Sequence, residues 1–190
     1  MTGNDIVDLK QAATESNWQR KGFLEKIFTP LEQSYIAEAV VQEQMVWKLW
    51  SMKESAYKIY TRQYGGRFFA PQQLKCVLLA GQLGKVCINN LTYQTSTIVT
   101  KNYIYSIART KNSENPVFFS HSFRIPEVDQ DKFVYKKIIS VYAEAWQKQK
   151  EYLTLIKDIN GAPLLYSKKE RSKIPVSITH HGRYAAFTIY

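Results

Sequence analysis

Apolar positions along this chain change their period twice, and the changes divide it into stretches. Asn4 to Leu9, Asn-Asp-Ile-Val-Asp-Leu, reads as a short strand almost at the N-terminus. Gln11 to Gly22 is polar and reads as loop or short helix. Thr29-Pro30-Leu31-Glu32 then carries a helix start, with Thr as the cap, Pro in the first turn and Glu three residues after the cap. That helix runs to Val41, and a longer one follows until Tyr64-Gly65-Gly66 stops it. Within the longer helix Met45, Leu49, Met52, Ala56 and Ile59 recur at steps of four and three, the stripe that packs on a core. Glu54 and Lys58 fall opposite that stripe, one turn apart. An exposed Glu–Lys pair is the ordinary reading, worth roughly 0.2–0.5 kcal/mol. Trp47, Trp50 and Tyr57 share that face, however, and two tryptophans favour the wall of a cleft over a plain solvated surface.

From Arg67 to Ile125 the pattern becomes extended. Lys75 to Leu79 and Lys85 to Ile88 form one expected hairpin, and Ser96 to Thr100 with Tyr103 to Ala108 a second. Lys111 to Pro116 reads as a polar loop and Val117 to Ile125 as a strand ended by Pro126. Helical spacing returns over Asp129 to Lys150, where Val134, Ile138, Val141 and Ala145 mark one face. Leu153 to Lys157 and Pro163 to Tyr166 bracket the turn signal Asn160-Gly161. After a basic loop, Lys168 to Lys173, the chain ends on Val176 to His180 and Tyr184 to Ile189. The expected class is α+β, with two helical stretches, about eight strands and no simple repeat. The natural division is an N-terminal half, 1–126, and a C-terminal half, 127–190, or else one domain over 1–190.

Charge narrows the partners. Lys and Arg exceed Asp and Glu to give +10 and a pI near 9.5, which points to something anionic. Cys76 and Cys87 lie in strand-like segments without metal-ligand spacing; two buried thiols suit a reducing compartment. No apolar run reaches the length of a membrane span and the N-terminus is no signal peptide, so the expected location is cytoplasmic.

For a hard divalent cation such as magnesium, Asp5 at a strand end and Glu54 on the helix are the best-placed carboxylates, and Lys58 would meet phosphate bound to it. An aspartate at a strand end is more commonly a turn residue. Fixed cations for phosphate include Arg20 and Lys21, the Lys168–Lys173 loop, and His180 or His181, each of which is more ordinarily a solvated or strand residue. Phosphate-loop, dinucleotide-fold, serine-hydrolase and zinc-protease patterns are absent.

Gly3-Asn-Asp-Ile-Val-Asp-Leu9, Phe28-Thr-Pro-Leu-Glu32, Trp50-Ser-Met-Lys-Glu-Ser-Ala-Tyr-Lys58, Asn160-Gly-Ala-Pro163 and Ser177-Ile-Thr-His-His-Gly-Arg-Tyr-Ala185 together resemble the motifs of the 4'-phosphopantetheinyl transferase superfamily, in its order. The order is that of the small holo-acyl-carrier-protein synthase type, whereas the long insert, 67–126, is not. The resemblance implies that fold, with two α/β halves of antiparallel sheet and long packed helices in one chain. The cleft would then lie within a pseudo-dimeric monomer, or between subunits if the chain forms a homotrimer. It also implies Mg2+-dependent transfer of the 4'-phosphopantetheine arm of coenzyme A to a serine of an acidic acyl or peptidyl carrier protein, as in fatty acid biosynthesis, with release of 3',5'-ADP. By position, Asp5 and Glu54 would bind the metal, Glu54 or a metal-bound water would take the serine proton, and Lys58 would neutralise phosphate charge. His180 would contact the adenosine phosphates, with Ser177, Arg20, Lys21 and Lys53 as weaker coenzyme A or carrier contacts. Val7 stands where the large type has a third acidic ligand, so a water, or Asp8, would take that place. Two other readings stay open: a single-stranded nucleic-acid module stacking bases on Tyr93, Tyr103 and Tyr105, and a coenzyme A-binding relative without turnover. The intact Asp5, Glu54 and Lys58 weigh against the latter, and the dispersed basic residues against the former.

Overall fold

The computed structural model describes residues 1–66, 68–110 and 119–190. Two antiparallel five-stranded sheets carry the α+β fold. The first half runs β1 (Thr2–Asp8), α1 (Leu9–Glu15), α2 (Phe23–Ile27), α3 (Pro30–Glu38), α4 (Gln42–Tyr64), β2 (Lys75–Leu78), β3 (Leu83–Ile88), β4 (Leu91–Val99) and β5 (Tyr103–Thr110). The second runs β6 (Phe119–Arg124), α5 (Gln130–Ala145), β7 (Leu153–Lys157), β8 (Pro163–Ser167), β9 (Ser172–His181) and β10 (Tyr184–Ile189). Sheet order is β1-β5-β4-β3-β2 in one and β6-β10-β9-β8-β7 in the other. Each half is thus a strand, a long helix and a four-strand meander whose last strand returns beside the first. β6 belongs to the second sheet although it precedes residue 126, and the expected Lys111–Pro116 loop lies outside the described residues.

Local chemistry accounts for the first half's helices. Thr29 accepts from the Glu32 N–H while Glu32 accepts from the Thr29 N–H at 2.7 Å, the reciprocal cap expected from Thr-Pro-Leu-Glu. Glu32 is fully buried, and both its oxygens take the Lys53 ammonium at 2.8 Å. Lys53 also donates to the carbonyls of Pro71 and Leu74, and the Cys76 N–H donates to Glu32. A buried ion pair is tolerated when every polar atom is satisfied, and this one ties α3, α4 and β2 together.

α4 is apolar well beyond its stripe. Val46, Trp47, Leu49, Met52, Ala56 and Ile59 sit in the first core, with Trp50 and Tyr57 packed against it. The expected aromatic cleft wall is therefore corrected: Trp47 is 5% exposed and belongs to the core. The helix lies very close to β1, since a Cβ on Gly3 would stand 2.2 Å from the Ser55 carbonyl oxygen. Only glycine allows that approach, and it brings Glu54 and Lys58 against the strand that carries Asp5.

The halves meet along β1 and β9. β1 pairs with β5 on one side only, so its other edge has free N–H groups. β9 covers that edge with side chains instead of backbone: Ser177 accepts from the Asn4 N–H, Thr179 from that of Ile6, and His181 Nδ1 from that of Asp8. Strand alternation presents all three on one face. The Tyr103 and Tyr184 rings, on the first residues of β5 and β10, pack with centroids 4.9 Å apart. Asp8 is fully buried, caps α1 and receives Arg183 through its backbone N–H, Nε and Nη2. Gly182 makes room for this, with φ of 55° and a virtual Cβ only 2.6 Å from an Asp8 oxygen. No helix among the described residues is long and apolar enough to cross a membrane.

Candidate active site

Asp5 projects from the middle of β1, half-buried at the seam. Its Oδ1 accepts from the Thr179 hydroxyl at 3.2 Å and lies 3.7 Å from Lys58 Nζ. Ser51, two turns before Lys58 on α4, donates to the Asp5 carbonyl oxygen at 3.1 Å. Lys58 reaches across both halves, donating to the Asn4 carbonyl at 2.7 Å and the Ile178 carbonyl at 3.3 Å. One turn further, Arg62 donates to the Val176 carbonyl and to the Tyr190 hydroxyl. Two basic side chains of α4 thereby clamp successive outward carbonyls of β9.

The electrostatics of this cluster are strained. Burial pushes Glu54 up to about 7; the Asp5 charge pushes the same way, and Lys58 offsets part of it. Asp5 is raised by burial against the pull of Lys58, Thr179 and Ser51. Burial lowers Lys58, opposed by Asp5 and Glu54, with Arg62 lowering it further. A buried carboxyl raised further by a neighbouring carboxylate, beside a partly desolvated ammonium, marks this cluster as a functional-site candidate. Hard carboxylate oxygens short of positive charge suit a divalent cation. Among the described residues no group of three or more His, Cys, Asp and Glu side chains gathers into a metal site. A cation held by Asp5 and Glu54 would complete its shell with water and ligand phosphate oxygens, which is how magnesium usually binds.

Several sequence-based expectations change in the structure. Lys53, expected at a phosphate or a carrier, is 1% exposed and spent on Glu32. Ser177, expected near coenzyme A, is fully buried and seals β1. Asp8 is ruled out as the third metal ligand: although burial works against it, Arg183 and the α1 N–H groups hold its carboxyl at about 2 and occupy both oxygens. Arg20 lies over the Phe23 ring and Lys21 is exposed in the same turn, with no hydrogen bond or ion pair to the cluster. His180 alternates away from β1, exposed beside Asp131 at the start of α5, while His181 faces β1 with its Nε2 near Glu15. Of the expected Lys168–Lys173 loop, Ser172 and Lys173 already belong to β9.

The sequence reading missed Thr179, Ser51 and Arg62. The even spacing of Ser177, Thr179 and His181 was the available signal, since alternate polar positions on a strand facing another strand's open edge are natural acceptors for its N–H groups. Shape does not single out this cluster: a concavity along β3, β4 and β5, lined by Lys85, Gln94, Ser96, Ile107 and Arg109, shares no residue with it.

The family model described as "ACPS: 4'-phosphopantetheinyl transferase superfamily" matches residues 1–108, which include β1 and α4. No curated protein sequence matches the chain. Among solved structures, an apo-ACPS from Chronobacterium ammoiniagenes aligns with TM-score 0.48 and 14% identity, over 57% of this chain and 93% of its own. The holo-[acyl-carrier-protein] synthase of Thermotoga maritima aligns at 0.44 and 9% identity, over 85% of this chain and 80% of its own. That of Helicobacter pylori, in complex with coenzyme A, aligns at 0.28 and 12%, over 100% and 97%.

Proposed function

Because the chain belongs to the 4'-phosphopantetheinyl transferase superfamily, we propose that it transfers the phosphopantetheine arm of coenzyme A to a serine of an acidic carrier protein. The observation that carries this reading is the convergence of Asp5, Glu54 and Lys58 at the seam between the two halves, where β9 supplies Thr179. Both halves of the chain contribute to this cluster, Asp5, Glu54 and Lys58 from the first and Thr179 from the second.

The serine oxygen attacks the phosphorus bonded to the pantetheine arm. The bond from that phosphorus to the bridging oxygen breaks, and 3',5'-ADP leaves with the bridging oxygen. Glu54, one helical turn from Lys58 and beside Asp5, is the carboxylate assigned to accept the serine proton. Lys58, held by the Asn4 and Ile178 carbonyls beside Asp5, would neutralise charge that develops on the phosphates. Asp5 and Glu54 would hold Mg2+, which when bound spreads the pyrophosphate charge and orients the reacting groups. Positioning and charge neutralisation dominate phosphoryl transfer, so a sparse residue set suffices. Exposed His180 and the basic loop before β9 are the candidates for the adenosine phosphates, and the net charge of +10 suits both polyanionic partners.

The test is mass spectrometry of apo carrier proteins incubated with coenzyme A, Mg2+ and the protein. Gain of one phosphopantetheine on the carrier serine, abolished by chelation, is expected. Tight coenzyme A binding without any gain across fatty-acid, polyketide and peptide carriers would instead identify a binding relative without turnover.

A further inference from the structure

The second half reaches the Asp5 carboxylate through one hydroxyl. Thr179 is 6% exposed; its Oγ1 accepts the Ile6 N–H at 3.3 Å and stands 3.2 Å from Asp5 Oδ1. A threonine hydroxyl has a single proton. With the backbone N–H occupying a lone pair, that proton is directed at the carboxylate. The flanking side chains do only half of this: Ser177 and His181 accept the Asn4 and Asp8 N–H groups, and neither hydrogen-bonds to the Asp5 carboxylate.

We propose that Thr179 is a positioning residue that fixes the Asp5 carboxylate for its ligand, so that the second half of the chain completes a cation site whose two carboxylates lie in the first. This deepens the reading of Asp5 and Glu54 as a divalent-cation site and rests on it. The hydroxyl is anchored to the same strand that bears Asp5, so strand and side chain are held as one unit. Lys58 approaches that same Oδ1 at 3.7 Å and donates to the Ile178 carbonyl, next to Thr179, so the constraint comes from two directions. Groups that orient a metal ligand commonly alter affinity by about 10–100-fold when removed.

The experiment compares Thr179→Val, Thr179→Ser and Ser177→Ala with the wild-type full chain. Mn2+ binding is followed by electron paramagnetic resonance without coenzyme A or carrier, and thermal unfolding in parallel. Thr179→Val keeps the shape and loses the proton; it should weaken Mn2+ binding by about ten-fold. Thr179→Ser should restore it to within about two-fold, because the hydroxyl remains. Ser177→Ala should lower the unfolding midpoint through the same kind of lost backbone bond while leaving Mn2+ affinity unchanged. Wild-type affinity in Thr179→Val, or an equal loss in Ser177→Ala, would overturn the proposal. If the wild-type protein itself bound no Mn2+, the cation-site reading would fall with it, an outcome distinct from equal binding by wild type and variant.

Discussion

Replacing Glu54 by glutamine is expected to make the protein more stable while it stops transfer. The carboxyl is held at about 7 in place of its ordinary 4.5, by burial first and then by Asp5. At about 1.4 kcal/mol for each tenfold change in proton affinity, ionising it in the fold costs up to about 3 kcal/mol. The folded state binds this proton more tightly than the unfolded chain does. Stability from this group therefore falls as pH rises from 4.5 to about 7, and above that the whole penalty is present. Asp5, also raised, acts with the same sign. Glutamine keeps the shape without the charge. Urea unfolding in metal-free buffer should show the variant more stable than wild type by up to about 3 kcal/mol at pH 8, and by less than about 1 kcal/mol at pH 5. At about 2–4 °C per kcal/mol for a chain of this size, the unfolding midpoint at pH 8 should rise by roughly 6–12 °C. Mg2+ should recover part of that difference in wild type only, because a ligand stabilises the state that binds it. A variant no more stable at pH 8 than at pH 5, relative to wild type, would refute the desolvated-carboxylate reading whatever the activity assays show.

Three further outcomes follow from the same geometry. Lys58→Ala should lower kcat for carrier modification by at least about 100-fold, and should also lower stability because the Asn4 and Ile178 carbonyls lose their donor; near-wild-type kcat would remove Lys58 from the mechanism. Lys53→Met should destabilise by about 3–5 kcal/mol by stranding buried Glu32, with KM for coenzyme A unchanged; a raised KM at unchanged stability would return Lys53 to the ligand. Asp8, held at about 2, contributes stability that is present above 3.8 and lost as pH falls from there towards 2; acid unfolding followed by tryptophan fluorescence should be flattened over that window in Asp8→Asn, and an unaltered profile would show that the Arg183 clamp adds nothing.

How much of this the sequence showed depends on whether a feature is local. The α3 cap, the α4 stripe, its stop at Gly65 and the hairpin turns are written in neighbouring residues, and the structure has them. That Glu54 and Lys58 share a helix face was legible from their spacing, whereas their meeting with Asp5 rested on side-chain chemistry and the family motifs, because no periodicity links β1 to α4. Lys53 and Glu54 adjoin in sequence with opposite fates, one buried on Glu32 and one at the seam, and nothing near either says which partner waits across the fold. The doubled architecture, two halves of antiparallel sheet in one chain, was legible through the family resemblance and not through any internal repeat, and the reason bears on function. β5 and β10 both begin on a tyrosine, Tyr103 and Tyr184, and these rings touch. Three residues on, Ser106 pairs with Asp5 while Phe187 pairs with His121. The position that holds the acid in one half therefore holds a histidine stacked on Phe123 in the other, its pKa lowered by burial and by Lys137. Likewise Asp8, opposite Tyr103, corresponds to Arg124, opposite Tyr184. The two halves share a chain path and not their chemistry. Repeated topology needs only matching hydrophobic faces, which tolerate extensive substitution, whereas a cation site needs particular carboxylates. The first half carries Asp5 and Glu54 and the second contributes the strand whose Thr179 braces Asp5, so the proposed cation site occurs once among the described residues.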